Sequence, residues 1–319
     1  MFTLTHESAP AYLAARGIDA TSIVPLGGGV SNLVLLAESA GGRFVVKQAL
    51  AKLRVDEDWF SDPRRTLREC AAMQSLAALL PAGSIPGILF ADEANCIYAM
   101  EAAPDGSADW KTLLLGGSIS PAVARQAGEI LGALIQTTWQ SAEWDRRFGD
   151  QTVFDELRLD PYYRFTARRH PDLAEYFEDR IAHCGRRRVS LVHGDWSPKN
   201  LLVSDRVLAI DFEVVHYGDP SFDIAFLLNH LLLKAFLQPQ WRERYAACAR
   251  EFWRTASGAA DASWLEESTI RHLGCLLLAR IDGKSPAEYI KTPELKARIR
   301  AAARDLILHP PSTIGEIFR

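Results

Sequence analysis

Over the first hundred positions apolar residues come in short blocks; beyond them the apolar positions follow a helical period. Segments 30–38 and 43–49 are apolar runs separated by Ala40-Gly41-Gly42, which reads as two strands joined by a glycine-containing turn. An Ala/Leu-rich stretch over 63–80 predicts a helix, with Pro63 suited to its first turn and Pro81 as its stop. Segments 88–91 and 96–100 then read as two more short strands. After Glu101-Ala102-Ala103-Pro104-Asp105-Gly106-Ser107 the pattern predicts helices over 121–140, 172–183, 222–237, 239–256, 264–280 and 293–308. Short strands interrupt them only at 190–192, 201–203 and 207–210. The class expected is α+β: a small antiparallel-sheet lobe over 1–100, a linker over 101–107 and a larger, mostly helical lobe over 108–319. Ligand sites form readily in the cleft such a division leaves.

Composition narrows the function classes. The 319 residues are 48% hydrophobic and 24% charged, enough for one or two sizeable cores. Acidic side chains outnumber basic ones by 40 to 36, and a net charge of -4 argues against a nucleic-acid partner. The five cysteines are scattered with no CxxC pair, as expected of free thiols in a reducing cytoplasm. The most apolar stretch, 222–237, carries Asp223, Asn229, His230 and Lys234, which suits a buried helix and not a membrane span. The leucines Leu227, Leu228, Leu231, Leu232, Leu276 and Leu277 are expected in the core.

The chemistry concentrates in Val192-His193-Gly194-Asp195-Trp196-Ser197-Pro198-Lys199-Asn200-Leu201, followed by Ile210-Asp211-Phe212-Glu213. One strand delivers Asp195 into a polar loop, Asn200 precedes a second strand, and a third strand delivers Asp211. A hairpin would bring all three to one edge. Phosphoryl transfer to an alcohol needs such a set: a carboxylate for the hydroxyl proton, and oxygen ligands for a Mg²⁺ that bridges phosphates.

The order His-x-Asp-x-x-x-x-Asn and then Asp-Phe mirrors the catalytic and metal loops of protein kinases, with Gly194 in place of Arg and Glu213 in place of Gly. Together with His216-Tyr217-Gly218-Asp219-Pro220, these elements resemble the aminoglycoside phosphotransferase superfamily, which includes methylthioribose, choline and homoserine kinases. The resemblance implies a bilobal protein-kinase-like fold and ATP-dependent phosphorylation of a small-molecule hydroxyl, with ATP and Mg²⁺ as cofactors. By that resemblance Asp195 is the catalytic base or the group that orients the hydroxyl, Asn200 and Asp211 would hold magnesium, and His193 and Asp223 would brace the loop. Lys47, flanked by valines on its strand, would meet the α- and β-phosphates and pair with Glu69. Gly27-Gly28-Gly29-Val30-Ser31-Asn32 would cover the phosphates, with Gly28, Gly29, Ser31 and Asn32 as donors. Met100, Glu101 and Ala102 would form the hinge against adenine.

The acceptor is less legible. Glu213, Asp219 and Asp223 would suit a cationic alcohol, while Trp196, His216 and Tyr217 would line its pocket; a sugar-like metabolite, an aminoglycoside and an amino alcohol all stay open. Competing classes lack their motifs: Gly283-Lys284-Ser285 has Leu278 where a P-loop needs glycine, and no Gly-x-Ser-x-Gly or His-Glu-x-x-His occurs. No Ala-Pro-Glu follows Asp-Phe-Glu, which disfavours a protein kinase. An inactive nucleotide-binding regulator is disfavoured by the intact Lys47, Asp195, Asn200 and Asp211.

Overall fold

The computed structural model describes residues 2–27, 31–53, 60–258 and 263–318. Among them an antiparallel sheet is built from β1 (Ala20–Pro25), β2 (Asn32–Ser39), β3 (Gly42–Ala49), β4 (Ile88–Asp92) and β5 (Ile97–Glu101), in the order β1-β2-β3-β5-β4. Side chains alternate across a strand, so the two faces of β3 serve different purposes. Phe44 and Val46 join Leu35, Ala37, Ile97 and Ala99 in a small core under the N-terminal helix Ala9–Ala14. Val45 faces the other way with Tyr98, Met100, Met73 and Leu76, where the main core continues into the second half of the chain. Lys47 shares that second face by alternation and so meets the helix Arg65–Leu76. That helix ends four residues before its expected stop at Leu80, because Leu79 and Leu80 both turn back to the Leu76 carbonyl at 2.9 and 3.0 Å.

The helical half packs Pro121–Thr138 against Arg242–Ser257, and Ser221–Leu237 against Leu265–Asp282. The leucine stripes lie in this core as expected, with Leu227, Leu228, Leu231, Leu276 and Leu277 all fully buried. Several elements escape the sequence pattern: β1, the helices Ala9–Ala14, Trp110–Leu115 and Ala142–Phe148, and a π-helical stretch Asp155–Arg164 with Pro161 inside it. Two small sheets then position the chemistry. β6 (Ala108–Asp109) pairs with β8 (Leu201–Val203), which forms a hairpin with β9 (Val207–Ala209); β7 (Ser190–Val192) pairs with β10 (His216–Gly218). No helix among the described residues is long and apolar enough to cross a bilayer.

Candidate active site

The hairpin β8–β9 explains why Asn200 and Asp211 belong together. Leu201 pairs with Ala209, and the Ile210 amide donates to the Asn200 carbonyl at 3.0 Å, so Asp211 emerges beside Asn200. Asp195 joins them through the five-residue spacing: the Asn200 amide donates to the Asp195 carbonyl at 3.0 Å and to its Oδ2 at 2.9 Å, closing the loop. His193 sits behind it, taking the Asp195 amide on Nδ1 at 3.1 Å and donating from Nε2 to the Ile210 carbonyl at 3.1 Å. Those roles require a neutral ring, and burial pulls His193 down to about 4. Asp223 accepts the His193 and Gly194 amides at 2.6 and 2.8 Å, the brace the resemblance implied; burial raises its carboxyl to about 7 against the pull of those amides. Gly194 itself is dictated by space. Its φ of +80° is strained for other residues, and a Cβ would stand 2.8 Å from the Val214 carbonyl oxygen.

Lys47 crosses from the sheet to this edge. Its ammonium lies 2.9 and 2.8 Å from the two Glu69 oxygens and 2.5 Å from Asp211 Oδ1. Burial would lower the Lys47 pKa, but Asp211 and Glu69 outweigh it and hold it well above the ordinary value. Burial likewise raises Glu69, to about 7, against Lys47; at Asp211 the cations Lys47 and Lys199 win over burial and keep the carboxylate ionised. Asp211 adopts a left-handed backbone with φ 71°, a conformation non-glycine residues rarely hold and one that collects at functional sites.

Asp195 carries more charge around it than its motif announces. Arg158 and Lys199 each reach its Oδ2 at 3.0 Å, while no hydrogen bond among the described residues reaches Oδ1. Burial alone would raise this carboxyl; the two cations overcome it and hold it below the usual range. One oxygen is thus anchored, and the other carries no hydrogen bond among the described residues. Lys199 sits four residues after Asp195 in the same motif, a spacing that was legible. Arg158 comes from the π-helical stretch, where no periodicity marks it.

Other expectations change. The side chains of Ser31 and Asn32, expected to face phosphates, are tied to Glu213: Ser31 donates to its Oε1 at 2.8 Å, and Asn32 donates to its Oε2 at 3.0 Å. Arg65 completes that knot, with Nε 3.0 Å from the same oxygen and its terminal nitrogens on the Ser31, Leu50, Ser61 and Asp62 carbonyls. Glu213 is therefore spent on holding the two lobes together and does not attract a cationic acceptor. Asp219 is buried against His183 and Ser221, and Asp223 is taken by the brace. Trp196, His216 and Tyr217 are core residues and line no acceptor pocket: all three are buried, His216 stacks on Phe154 at 4.0 Å, and the Tyr217 hydroxyl is engaged by the Ser141 amide and the Thr138 carbonyl. At the expected hinge Met100 is buried, and the Glu101 and Ala102 amides donate to the Gly87 and Arg43 carbonyls at 2.9 and 3.4 Å, which makes the Ala102 bond the weaker of the two. Gly28 and Gly29 lie outside the described residues.

Known proteins share both the sequence pattern and the architecture. The sequence model of the phosphotransferase enzyme family matches residues 22–259. Methylthioribose kinase 2 of Oryza sativa subsp. japonica is 26% identical over 263 residues, covering 73% of this chain and 61% of the relative. A methylthioribose kinase of Pectobacterium carotovorum subsp. carotovorum is 27% identical, covering 73% of this chain and 67% of the relative. The chain thus spans less than two thirds of the rice relative's length and about that share of the bacterial one. The ADP-bound aminoglycoside phosphotransferase APH(2'')-Ib superposes with a TM-score of 0.54 over 98% of this chain and 99% of its own, at 16% identity, which is a likeness of fold: bilobal, kinase-like, α+β. Matched by that family's model over most of its length, the chain belongs to the phosphotransferase enzyme family.

Proposed function

We propose that the protein transfers the γ-phosphoryl group of ATP to a hydroxyl of a small molecule, with the nucleotide held between segments 1–100 and 108–319 and segment 101–107 as the connection. The observation that carries this is the convergence of Asp195, Asn200 and Asp211 at one hairpin edge, with Lys47 bound to Asp211 from the opposite lobe. Asp195 orients the acceptor hydroxyl through Oδ1 and takes its proton, with Oδ2 fixed by Arg158, Lys199 and Asn200. Positioning and charge do most of the work in such a transfer. The Lys47 ammonium is placed to exchange part of its contact with Asp211 for phosphate oxygens, and Glu69 keeps it aimed.

Asn200 and Asp211 would hold Mg²⁺, since the Asn200 nitrogen faces Asp195 and, among the described residues, no hydrogen bond reaches the Asn200 amide oxygen or Asp211 Oδ2. That ion supplies charge neutralisation across the phosphates. Adenine would meet the backbone of Met100 to Ala102, and Gly28 and Gly29 would approach the phosphates. The relatives named methylthioribose kinase make a sugar-like alcohol the first acceptor class to try. Buried thiols at all five cysteines fit a reducing cytoplasm as the place of action.

The test is transfer of label from γ-³²P-ATP to a panel of alcohols, run with and without Mg²⁺, beside Asp195→Asn and Asp211→Asn. Labelled product that disappears in both variants is expected. Full turnover by Asp195→Asn would remove its assigned role, and tight MgATP binding without transfer to any alcohol would favour the inactive regulator.

A further inference from the structure

One face of the helix Ser221–Leu237 presents Asp223, Phe226, His230 and Lys234, three and four residues apart and hence in one row. Asp223 heads the row under the catalytic loop. Phe226 follows, its ring 5.8 Å from the Arg158 guanidinium and 5.8 Å from the Tyr162 ring. The His230 ring lies 5.4 Å from that of Phe226. Lys234 ends the row, reaching among the described residues the His230 carbonyl at 3.3 Å and the Tyr289 ring at 5.0 Å. Arg280 faces the row from the helix Leu265–Asp282 and donates to the Tyr162 hydroxyl at 3.3 Å and to the Ser285 carbonyl at 2.5 Å. Side chains therefore run without a break from Asp195 through Arg158, Tyr162 and Phe226 to His230, Arg280 and Lys234.

This row has polar capacity to spare. His230 Nδ1, Arg280 Nε and the Tyr289 hydroxyl are buried with no hydrogen-bond partner. Lys234 is fully buried, and among the described residues no carboxylate stands within ion-pair distance of Lys234 or His230. The nearest carboxylates have other business: Glu288 binds Lys111, and Asp109 caps Thr112. Burying an ammonium without a counter-ion is costly. Burial, with Lys111 and Arg280 adding repulsion, pulls Lys234 down to about 7. Burial and the neighbouring cations likewise hold His230 well below its ordinary value, so an anion seated here would favour the charged forms of both groups.

We propose that the acceptor alcohol carries an oxyanion, a carboxylate or a phosphate, that seats against His230, Lys234 and Arg280 while its hydroxyl meets Asp195. This rests on the phosphotransfer reading and narrows its acceptor. The reaction balances as before: the acceptor oxygen bonds Pγ, the bond from Pγ to the bridging oxygen of ADP breaks, and the hydroxyl proton goes to Asp195.

Matched probes test it: D-gluconate against sorbitol and ribose 5-phosphate against methylthioribose, with choline as a cation, each given to the full chain with MgATP. The anionic member of a pair is expected to show a kcat/KM about tenfold or more above its neutral partner. It should also raise the Tm of the MgADP-bound protein. The carboxylate and phosphate arms distinguish the two oxyanions. Lys234→Met should raise the KM for the anionic acceptor about tenfold while leaving the KM for ATP unchanged. Its melting temperature should hold, because the methionine fills the space without a buried charge. Preference for a neutral or cationic probe would overturn the proposal, as would an anion preference that survives in both Lys234→Met and Arg280→Gln. If MgADP binds and no anionic probe shifts the Tm, the acceptor proposal alone is overturned; if MgADP fails to bind, the phosphotransfer reading falls and takes the proposal with it.

Discussion

Asp211 and Asp195 stand at the same hairpin edge, yet their charges are balanced in opposite ways. Asp211 is neutralised from across the cleft by Lys47, 164 residues earlier, which is in turn held by Glu69 on the sheet side. Asp195 is neutralised entirely from its own lobe, by Arg158 and Lys199. The first arrangement joins the sheet to the helical half; the second fixes one carboxylate oxygen and leaves the other without a hydrogen bond among the described residues. On the phosphotransfer reading proposed above, one adjustable and one fixed carboxylate would suit a site that admits a nucleotide and then acts on a second molecule.

Removing the fixed side should cost most. Asp195→Asn is expected to lower kcat about 10³-fold with MgADP affinity nearly unchanged, read by steady-state kinetics and calorimetric titration. A large loss of nucleotide affinity would mean that the two sides are not separable. On the adjustable side, Lys47→Met leaves Glu69 and Asp211 buried without their shared cation. Chemical denaturation should show a loss of about 3 kcal/mol, and the KM for ATP should rise. If the KM for ATP is unmoved, Lys47 is a structural counter-ion only.

The knot at Glu213 sharpens the comparison, since it joins the lobes without touching either carboxylate. Glu213→Gln keeps the Arg65 bonds to four carbonyls and loses the charge, so a stability loss of about 2 kcal/mol is expected, with kcat reduced less than in Asp195→Asn. A pH slope tests the packing behind the hairpin. Burial holds His216 down to about 3, below the ordinary 6.5, so as pH falls the unfolded chain takes the proton first. The stability that His216 contributes is complete above pH 6.5 and is lost on the way down to pH 3. His216→Phe should flatten the stability profile between those limits by up to about 1.4 kcal/mol per pH unit, and an unchanged slope would show that the ring is already protonated in the fold.

The sequence by itself determined the hairpin that groups Asp195, Asn200 and Asp211. Asp195, Asn200 and Asp211 were readable because the loop and both strands are contiguous, and β-pairing of neighbouring strands fixes where such residues emerge. The placement of Lys47 on the inward face followed from alternation along β3. Only the tertiary structure decided what surrounds them. Arg65 reaching Glu213, Arg158 reaching Asp195, and the row from Phe226 to Lys234 facing Arg280 join segments far apart in the chain. Periodicity reports which face of an element is buried but not which distant element buries it. For the same reason Ser31, Asn32, Glu213, His216 and Tyr217 looked available in the sequence and proved committed in the fold: proximity to a motif along the chain says nothing about which polar groups long-range packing will claim.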